Sequence, residues 1–523
     1  DLFHNSCSFC EVYILTKSNI SIVFLVLLGA LLIATLPGCR RDVNLDDIGN
    51  PSARPTATPK PAAMTATAKA GPSVTPTIVI DTPTPTPTRA APETTAVYYT
   101  TRAGDTLSGI AMAFGTTVES LMRINGLTNA DQLAAGQQLQ ISLDAQFTGP
   151  GTLLIPDNEL VYGPEYRGFD VAQTTAALPG IFKSYSEDVL GVDMTAAEIV
   201  KLITEQYSVG PRVLLALLEL RGGWLSNPEP AAAQYAYPLG YTALPHMNGL
   251  YRQLSLAADA LNIGFYGWWM DSLWLVQTRD GAYIQFSTQL NGGTAGVQRA
   301  LAPSATDYES WRADLDRFAS VYHNLFGDPF ALAVEPLMPA GLQAPALILP
   351  WPQDATWYYT GGPHPGYGTQ GPFAALDFTT NERNIGCTPS SQWATAAADG
   401  LVVHSRDGMV IQDLDGDGFM GTGWVMFYMH LASDGRAQNG TVLKAGDNIG
   451  HPSCEGGVSN ATHLHVARRY NGVWIEADDP RWPMTLSGWI PASTGDAYYG
   501  TLSRNGQTCT ACECWDEINA IFH

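Results

Sequence analysis

The five residues Thr462-His463-Leu464-His465-Val466 decide how the C-terminal part of this 523-residue chain is read. In an extended strand successive side chains alternate faces, so His463 and His465 project to one side while Leu464 turns to the core. Working outward, Tyr428-Met-His430-Leu431 has the same parity and is expected to put Tyr428 and His430 on one face. Further upstream lies His364-Pro-Gly-Tyr-Gly-Thr-Gln-Gly-Pro-Phe-Ala-Ala-Leu-Asp377-Phe. Two imidazoles and a carboxylate suit Zn²⁺, which takes N and O ligands at about 2.0–2.2 Å. A catalytic zinc keeps its fourth position for water and lowers that water's pKa to about 7. A bare His-x-His also occurs as a structural pair. Joined to an upstream His…Asp and an intervening Tyr-x-His-Leu, it becomes specific. Beyond Pro350 the texture is β-rich, with many glycines and short alternating runs.

From about Leu349 to Trp489 this combination resembles the lysostaphin/LytM-type zinc endopeptidases. Ala396-Ala-Ala-Asp-Gly400-Leu-Val-Val resembles the strand after the first motif, and Lys444-Ala-Gly446-Asp-Asn-Ile-Gly450 the turn before the final His-x-His. The resemblance implies one zinc ion held by His364, Asp377 and His465. It makes His430 and His463 the non-ligand histidines that orient the water and stabilise the tetrahedral oxyanion. The His364-to-Asp377 spacing is longer than the family's usual His-x-x-x-Asp, and the glycine-rich insertion Gly366 to Ala375 is expected to loop out. His404 and His451 are bystanders. The implied unit, residues 346–492, is an antiparallel β-sheet-rich peptidase of the duplicated hybrid motif type, followed by a Cys-containing tail at 493–523. The family cleaves stem peptides or cross-links of peptidoglycan. Some relatives lack ligands and act as non-catalytic activators; all five positions are filled here.

Order begins much earlier, at Val97-Tyr-Tyr-Thr-Thr-Arg-Ala-Gly104-Asp105-Thr106-Leu107, a strand entering a turn and a helix. Asp105 is a suitable N-cap for a helix bearing Leu107, Ile110, Ala111 and Phe114 on one face. Gly115 can end that helix, and Thr116 with Glu119 makes a capping-box pattern for a second. Asn125-Gly126 turns, and Leu139-Gln-Ile141 closes. This βααβ unit, residues 96–143, resembles the LysM family through Gly104 to Leu107, Ile110-Ala111, Leu121, Asn125, Leu127, Leu133, Gly136-Gln137, Leu139 and Ile141. The resemblance implies binding of N-acetylglucosamine-containing glycan in a shallow groove. Its lining would be Gly104, Asp105, Thr106 and Leu107 of the turn and Asn125, Gly126 and Leu127 of the following loop.

Residues 150–345 read as a mainly helical domain of unknown role, so the whole chain is multidomain α+β. Thr195 and Glu198 form a capping box, and Pro211 opens a buried-looking helix ended by Gly222-Gly223. That helix is similar to one in lysozyme-like lytic transglycosylases, but Arg221 falls where their catalytic Glu belongs, and Glu219 lies one helical face away. Phe265-Tyr-Gly-Trp268-Trp269 reads as core first and as a sugar-stacking surface second.

Lys+Arg number 27 against 49 Asp+Glu, a formal net charge of −22, which argues against nucleic acid and against electrostatic docking on anionic lipid. The first Met is Met64, and residues ahead of Lys17 are given no fold. From Ser18 to Cys39 no residue is charged, and the run ends Leu36-Pro37-Gly38-Cys39, resembling a lipoprotein signal over residues 1–39 with Cys39 lipidated. An uncleaved membrane helix is the alternative. Residues 40–95 are a Pro/Thr-rich linker, extended and unable to bury a core. Both readings place the remainder outside the cytoplasmic membrane, at the cell membrane or wall. There Cys387 and Cys454 are candidates for a disulfide, and the tail adds Cys509, Cys512 and Cys514. Asp413-Leu-Asp415-Gly-Asp417-Gly418 starts like a Ca²⁺ loop, but its twelfth position is Trp424 instead of Glu, so a polar hairpin tip is the first reading and a calcium-stabilised loop at 413–418 the second.

Together these readings make a membrane-tethered peptidoglycan hydrolase, a zinc endopeptidase held on glycan. A non-catalytic binding or activator protein and a glycosidase acting through the middle domain are the competing classes.

Overall fold

Period-two alternation in Leu464-His-Val-Ala-Arg-Arg-Tyr470 sends Leu464 and Val466 to one side of a strand and His465 and Ala467 to the other. The computed structural model in which this is seen describes residues 96–523 apart from 102–104, 115, 131–132, 135, 143–144, 244–245, 370 and 384–385. Cys39, the signal run, the Pro/Thr linker, Gly104 and Gly115 therefore lie outside the described residues. No helix among the described residues is long and apolar enough to cross a membrane.

Leu464–Tyr470 lies inside a sheet that is nine-stranded among the described residues. Across it run Val442–Leu443, Gly400–Arg406, Met409–Asp413, Trp424–Met429, Leu464–Tyr470, Ala375–Thr379, Trp357–His364 and Ala520–Ile521, and Val473–Trp474 pairs beside Leu464–Tyr470. Every pairing is antiparallel. One face packs Trp351, Trp357, Phe378, Met426, Tyr428 and Val466 into a core of its own. Residues 493–523 are not an appended tail. Gly500–Arg504 pairs with Ile490–Ser493, and Ala520–Ile521 with Trp357 and Tyr358.

The other face carries Ile411, Phe427, Met429, Ala467 and Trp474, and these belong to the same apolar core as the middle region's helices. The 345/346 boundary is a change of sequence texture, not a break in packing. Thr195 and Glu198 do form a capping box on helix Ala196–Tyr207, and Pro211–Gly222 ends at Gly223 with φ +63°. In helix Leu250–Trp269 the aromatic run is core: Phe265, Tyr266 and Trp268 are buried, and Trp269 donates its indole N–H to Asp157. The centre of this region is Glu159, fully buried, accepting from Arg212 Nε and Nη2 at 2.6 and 2.8 Å and from the hydroxyls of Tyr166 and Tyr322. A carboxylate so enclosed is tolerable only because every oxygen is matched.

In the βααβ unit, Ala96–Thr100 pairs antiparallel with Gln138–Ser142 around helices Leu107–Ala113 and Val118–Asn125. Thr117, not Thr116, caps the second helix, because its backbone is the last extended one (φ −112°, ψ 153°) and its side chain accepts from Ser120 N at 3.1 Å. Trp274 and Leu275 of the middle region complete this unit's core.

Beside Glu159, burial first and then the Glu159 charge push the Glu165 carboxyl up to about 8 from 4.5. The folded protein thus keeps a proton that the unfolded chain releases, and stability present below about pH 4.5 is lost as pH rises towards 8. Glu165→Gln removes that component. Urea melts at pH 5 and pH 8 should show a smaller alkaline loss for the variant than for the parent; equal losses would contradict the burial argument.

Candidate functional site

Strand register builds the site. His465 lies directly across from Asp377, and Asp377 across from Gly361 on the next strand, with His364 at that strand's end beyond two register shifts. A Cβ on Gly361 would fall 2.6 Å from Asp377 Oδ2, so only glycine leaves room for the carboxylate. The long His364-to-Asp377 spacing is thus the length of a connection between neighbouring strands. The insertion is a loop outside the sheet, and it packs on the middle region: Tyr367 lies edge-on against Tyr207 at 4.8 Å and Thr369 hydrogen-bonds Asp259.

His364, Asp377 and His465 are buried, and their ligand atoms converge. His364 Nε2 is 3.0 Å from His465 Nδ1, and Asp377 Oδ1 lies 3.3 and 3.2 Å from them. The far nitrogens settle the tautomers. His364 Nδ1 meets Gly362 O at 2.8 Å and His465 Nε2 meets Gly366 O at 3.0 Å. A carbonyl only accepts, so those nitrogens carry the protons and the two facing nitrogens are bare lone pairs. Asp377 Oδ1 is buried with no hydrogen-bond partner. Three unprotonated donors packed this closely repel one another unless a cation sits among them. Burial raises the Asp377 carboxyl, but the neighbouring imidazoles, His364 first and then His463, hold it well below the usual carboxylate range. Burial keeps His465 below the ordinary imidazole value, suited to a neutral ligand.

The non-ligand histidines stand alongside. His463 Nδ1 meets Ala461 O at 2.8 Å, which leaves Nε2 facing Asp377 Oδ1 at 3.7 Å. His430 Nδ1 meets Glu455 O at 3.2 Å, and its ring lies 4.4 Å from that of His463. Burial, then the His463 and His465 charges, lower the His430 pKa well below the ordinary value. His430 has φ +62°, a left-handed backbone rare outside glycine and typical of strained functional positions. That kink overturns one expectation. Tyr428 does not share a face with His430: it lies in the opposite core, its hydroxyl accepting from Ala397 N at 2.8 Å. Alternation stops where the strand Trp424–Met429 ends.

Cys387 and Cys454 are bonded. Their loops back the two histidines: Gly386 O accepts from Thr462 N, and Ser453 N and Oγ donate to His430 O at 2.6 and 3.0 Å. Cys512 is bonded to Cys514, and Cys509 is free and buried. Of the bystanders, His404 faces Glu205 at 3.1 Å and His451 meets Gln392 O at 2.9 Å. Sequence reasoning missed two contributors. Gly366 supplies the carbonyl that fixes His465, and Tyr498 stacks on His364 at 4.3 Å. The only sequence signal for Tyr498 was an aromatic pair, Tyr498-Tyr499, in a segment read as a tail.

Elsewhere the sequence-derived residues divide. Thr106 and Gly126 are exposed, whereas Leu107 is in the βααβ core and Asp105 accepts from Tyr99 OH at 2.8 Å. Asn125 fastens the second helix to the closing strand, donating to Leu121 O and Gln140 O and accepting from Gln140 N, while Leu127 packs partly into the core. Glu219 accepts from Leu225 N, Ser226 N and Ser226 Oγ, and Arg221 pairs with Asp314, an arrangement for holding a turn and not for protonating a sugar. In the 413–418 loop, Asp413 accepts from Asp415 N, Gly416 N and Gly418 N, and Asp417 pairs with Arg167 at 2.8 Å. The carboxylates of Asp413, Asp415 and Asp417 also lie within 4.8 Å of one another, so the tip keeps the donor set of a cation loop beside its backbone hydrogen bonds.

Residues 99–142 match the LysM domain family, and residues 153–339 match the family described as LasA, N-terminal domain. Protease LasA of Pseudomonas aeruginosa (strain UCBPP-PA14) is 24% identical over 373 residues, 68% of this chain and 83% of that protein. N-acetylmuramoyl-L-alanine amidase sle1 of Staphylococcus aureus (strain USA300) is 51% identical over 45 residues, 9% of this chain and 13% of the amidase. Among solved structures, the M23 metalloprotease pseudoalterin from the deep sea aligns at 23% identity over 35% of this chain and 100% of its own, with a TM-score of 0.28. The lysostaphin catalytic domain from Staphylococcus simulans aligns at 23% identity over 24% and 90%, with a TM-score of 0.17.

Replacing both Cys387 and Cys454 by serine should cost about 2–5 kcal/mol, the usual range for losing a native disulfide. Denaturant melts under non-reducing conditions measure it. A variant as stable as the parent would show that the loops behind His430 and His463 hold themselves.

Proposed function

We propose that this protein is an extracytoplasmic peptidoglycan hydrolase, a zinc-dependent endopeptidase that cuts stem peptides or cross-links while its LysM module holds glycan. The observation that carries the reading is the convergence of His364 Nε2, His465 Nδ1 and Asp377 Oδ1 at 3.0–3.3 Å, with the other nitrogen of each imidazole on a backbone carbonyl. Two imidazoles and a carboxylate with backbone-fixed tautomers are a zinc donor set that leaves a position open. The resemblance to Protease LasA over 68% of the chain supports peptide hydrolysis, and the LysM match supports the wall as its location. Thr106 and Gly126 are the exposed groups through which glycan would be met. Attachment by a lipid at Cys39, or by the apolar run itself, belongs to the same reading.

Zinc bound here would supply a Lewis acid and a water activated near neutral pH. His463, with Nδ1 on Ala461 O, has Nε2 free to take a proton from the attacking water and pass it to the leaving amine. His430, held neutral by burial and with Nδ1 on Glu455 O, keeps Nε2 as a lone-pair acceptor that orients the attacking water. Ser453 fixes the His430 peptide, so its imidazole is held in place before substrate arrives. Both histidines so oriented favour catalysis over the inert-binder reading, and Glu219, engaged in holding a turn, is not placed to be the acid of the glycosidase reading.

Incubation with isolated sacculi should release muropeptides bearing new amino termini, with no new reducing ends. Chelation should stop the release and zinc restore it. His465→Ala should lose bound zinc and activity together, whereas His463→Ala should keep zinc and lose roughly 10²–10⁴-fold in rate. Release of muropeptides by His465→Ala at the parent rate would sink the mechanism.

A further inference from the structure

The ligand His465 is oriented from outside its own sheet. Its Nε2 donates to Gly366 O at 3.0 Å, and Gly366 opens a segment held by the middle region. Thr369 N and Oγ1 donate to Asp259 Oδ1 and Oδ2 at 3.3 and 3.0 Å. Tyr367 packs edge-on to Tyr207 at 4.8 Å. Gly368 has φ +82°, and a Cβ there would fall 2.2 Å from Asp259 Oδ1, so the backbone lies directly on this carboxylate. Gly366 itself is seated against Trp474, where a Cβ would meet the indole at 2.5 Å. Trp474 is held in turn by Tyr207 O at 3.2 Å and Tyr266 OH at 2.8 Å. Tyr207, Asp259 and Tyr266 sit on helices Ala196–Tyr207 and Leu250–Trp269. The sheet gives the turn ring contacts, from Trp474 to Gly366 and from Phe427 to Tyr367 at 6.1 Å, while the hydrogen bonds from Thr369 go to Asp259.

We infer that Asp259 is a positioning residue for the metal site, acting through Thr369 and the Gly366 carbonyl on the ring of His465. The middle region is thereby a working part of the metal centre. Partners that orient a ligand are worth about 10–100-fold in metal affinity. Asp259 acts through one intermediary and at a partly exposed hydrogen bond, so the low end applies. The inference rests on the zinc reading above.

The test is zinc competition against a chromophoric chelator, together with the visible spectrum of the cobalt-substituted protein, on the full chain. Asp259→Ala should weaken zinc binding about tenfold and alter the cobalt spectrum. Thr369→Val, which keeps Asp259 and removes one donor, should weaken binding several-fold and alter the spectrum in the same direction. Should Asp259→Ala fail to fold, Thr369→Val decides. A parent that binds no zinc overturns the metal reading itself. A parent that binds zinc tightly, with folded variants of equal affinity and unchanged cobalt spectra, overturns the role of Asp259 alone.

Discussion

Three lone-pair donors held 3.0–3.3 Å apart in a buried site constrain the rest of this structure. Without a cation such a group is repulsive, so the surrounding fold has to impose it. Each backbone oddity near the site serves that end. Gly361 clears space for the Asp377 carboxylate, register shifts bring His364 level with Ala375, and Gly362 and Gly366 carbonyls fix which imidazole nitrogen is bare. The left-handed His430 backbone turns its ring to the ligand face just where the strand would have pointed it away. That left-handed backbone stores unfavourable energy locally, and a rigid, close-packed surrounding is what can sustain it.

That surrounding is larger than the sheet. Phe427, Met429, Ala467 and Trp474 on the ligand face share one core with the helices between Ala196 and Phe326. The buried Arg469 makes the same point. It lies over the rings of Trp474 and Phe427 and donates from Nη1 to Glu205 O on helix Ala196–Tyr207, so a buried charge of the sheet finds a hydrogen-bond acceptor in the middle region. Trp274 and Leu275 extend the continuity to the LysM module, whose core they complete.

Much of this was legible in residue order. His-x-His parity, the Tyr-x-His-Leu signal and the upstream His…Asp name all five histidine and aspartate positions, because each is a local pattern with a period of two or a motif landmark. The helices of the middle region follow from capping chemistry at Thr195 and Pro211. What escaped were contacts made by residues without a periodic signature. Gly366 contributes a carbonyl, which any residue has. Thr369 reaches Asp259 across 110 positions, and Tyr498 reaches His364 from a segment that reads as a tail. The Tyr428 misplacement has a different origin: alternation is a rule for extended backbone, and His430 leaves it at φ +62°.

The distribution of exposure around the site bears on how a polymer can use it. His364, Asp377 and His465 are buried, and the flank towards the middle helices is occupied by Gly366, Tyr367 and Trp474. On the other flank His463 is only partly buried, Val458 is 76% exposed, and Tyr498 is 55% exposed while one face of its ring lies on His364. The groups beside the ligands that remain accessible are thus His463 and Tyr498. With a net charge of −22, bulk attraction cannot bring the protein to an anionic wall. Encounter has to rest on local contacts, at the exposed turn of the LysM module and at this open flank, with the body between them held by a shared core.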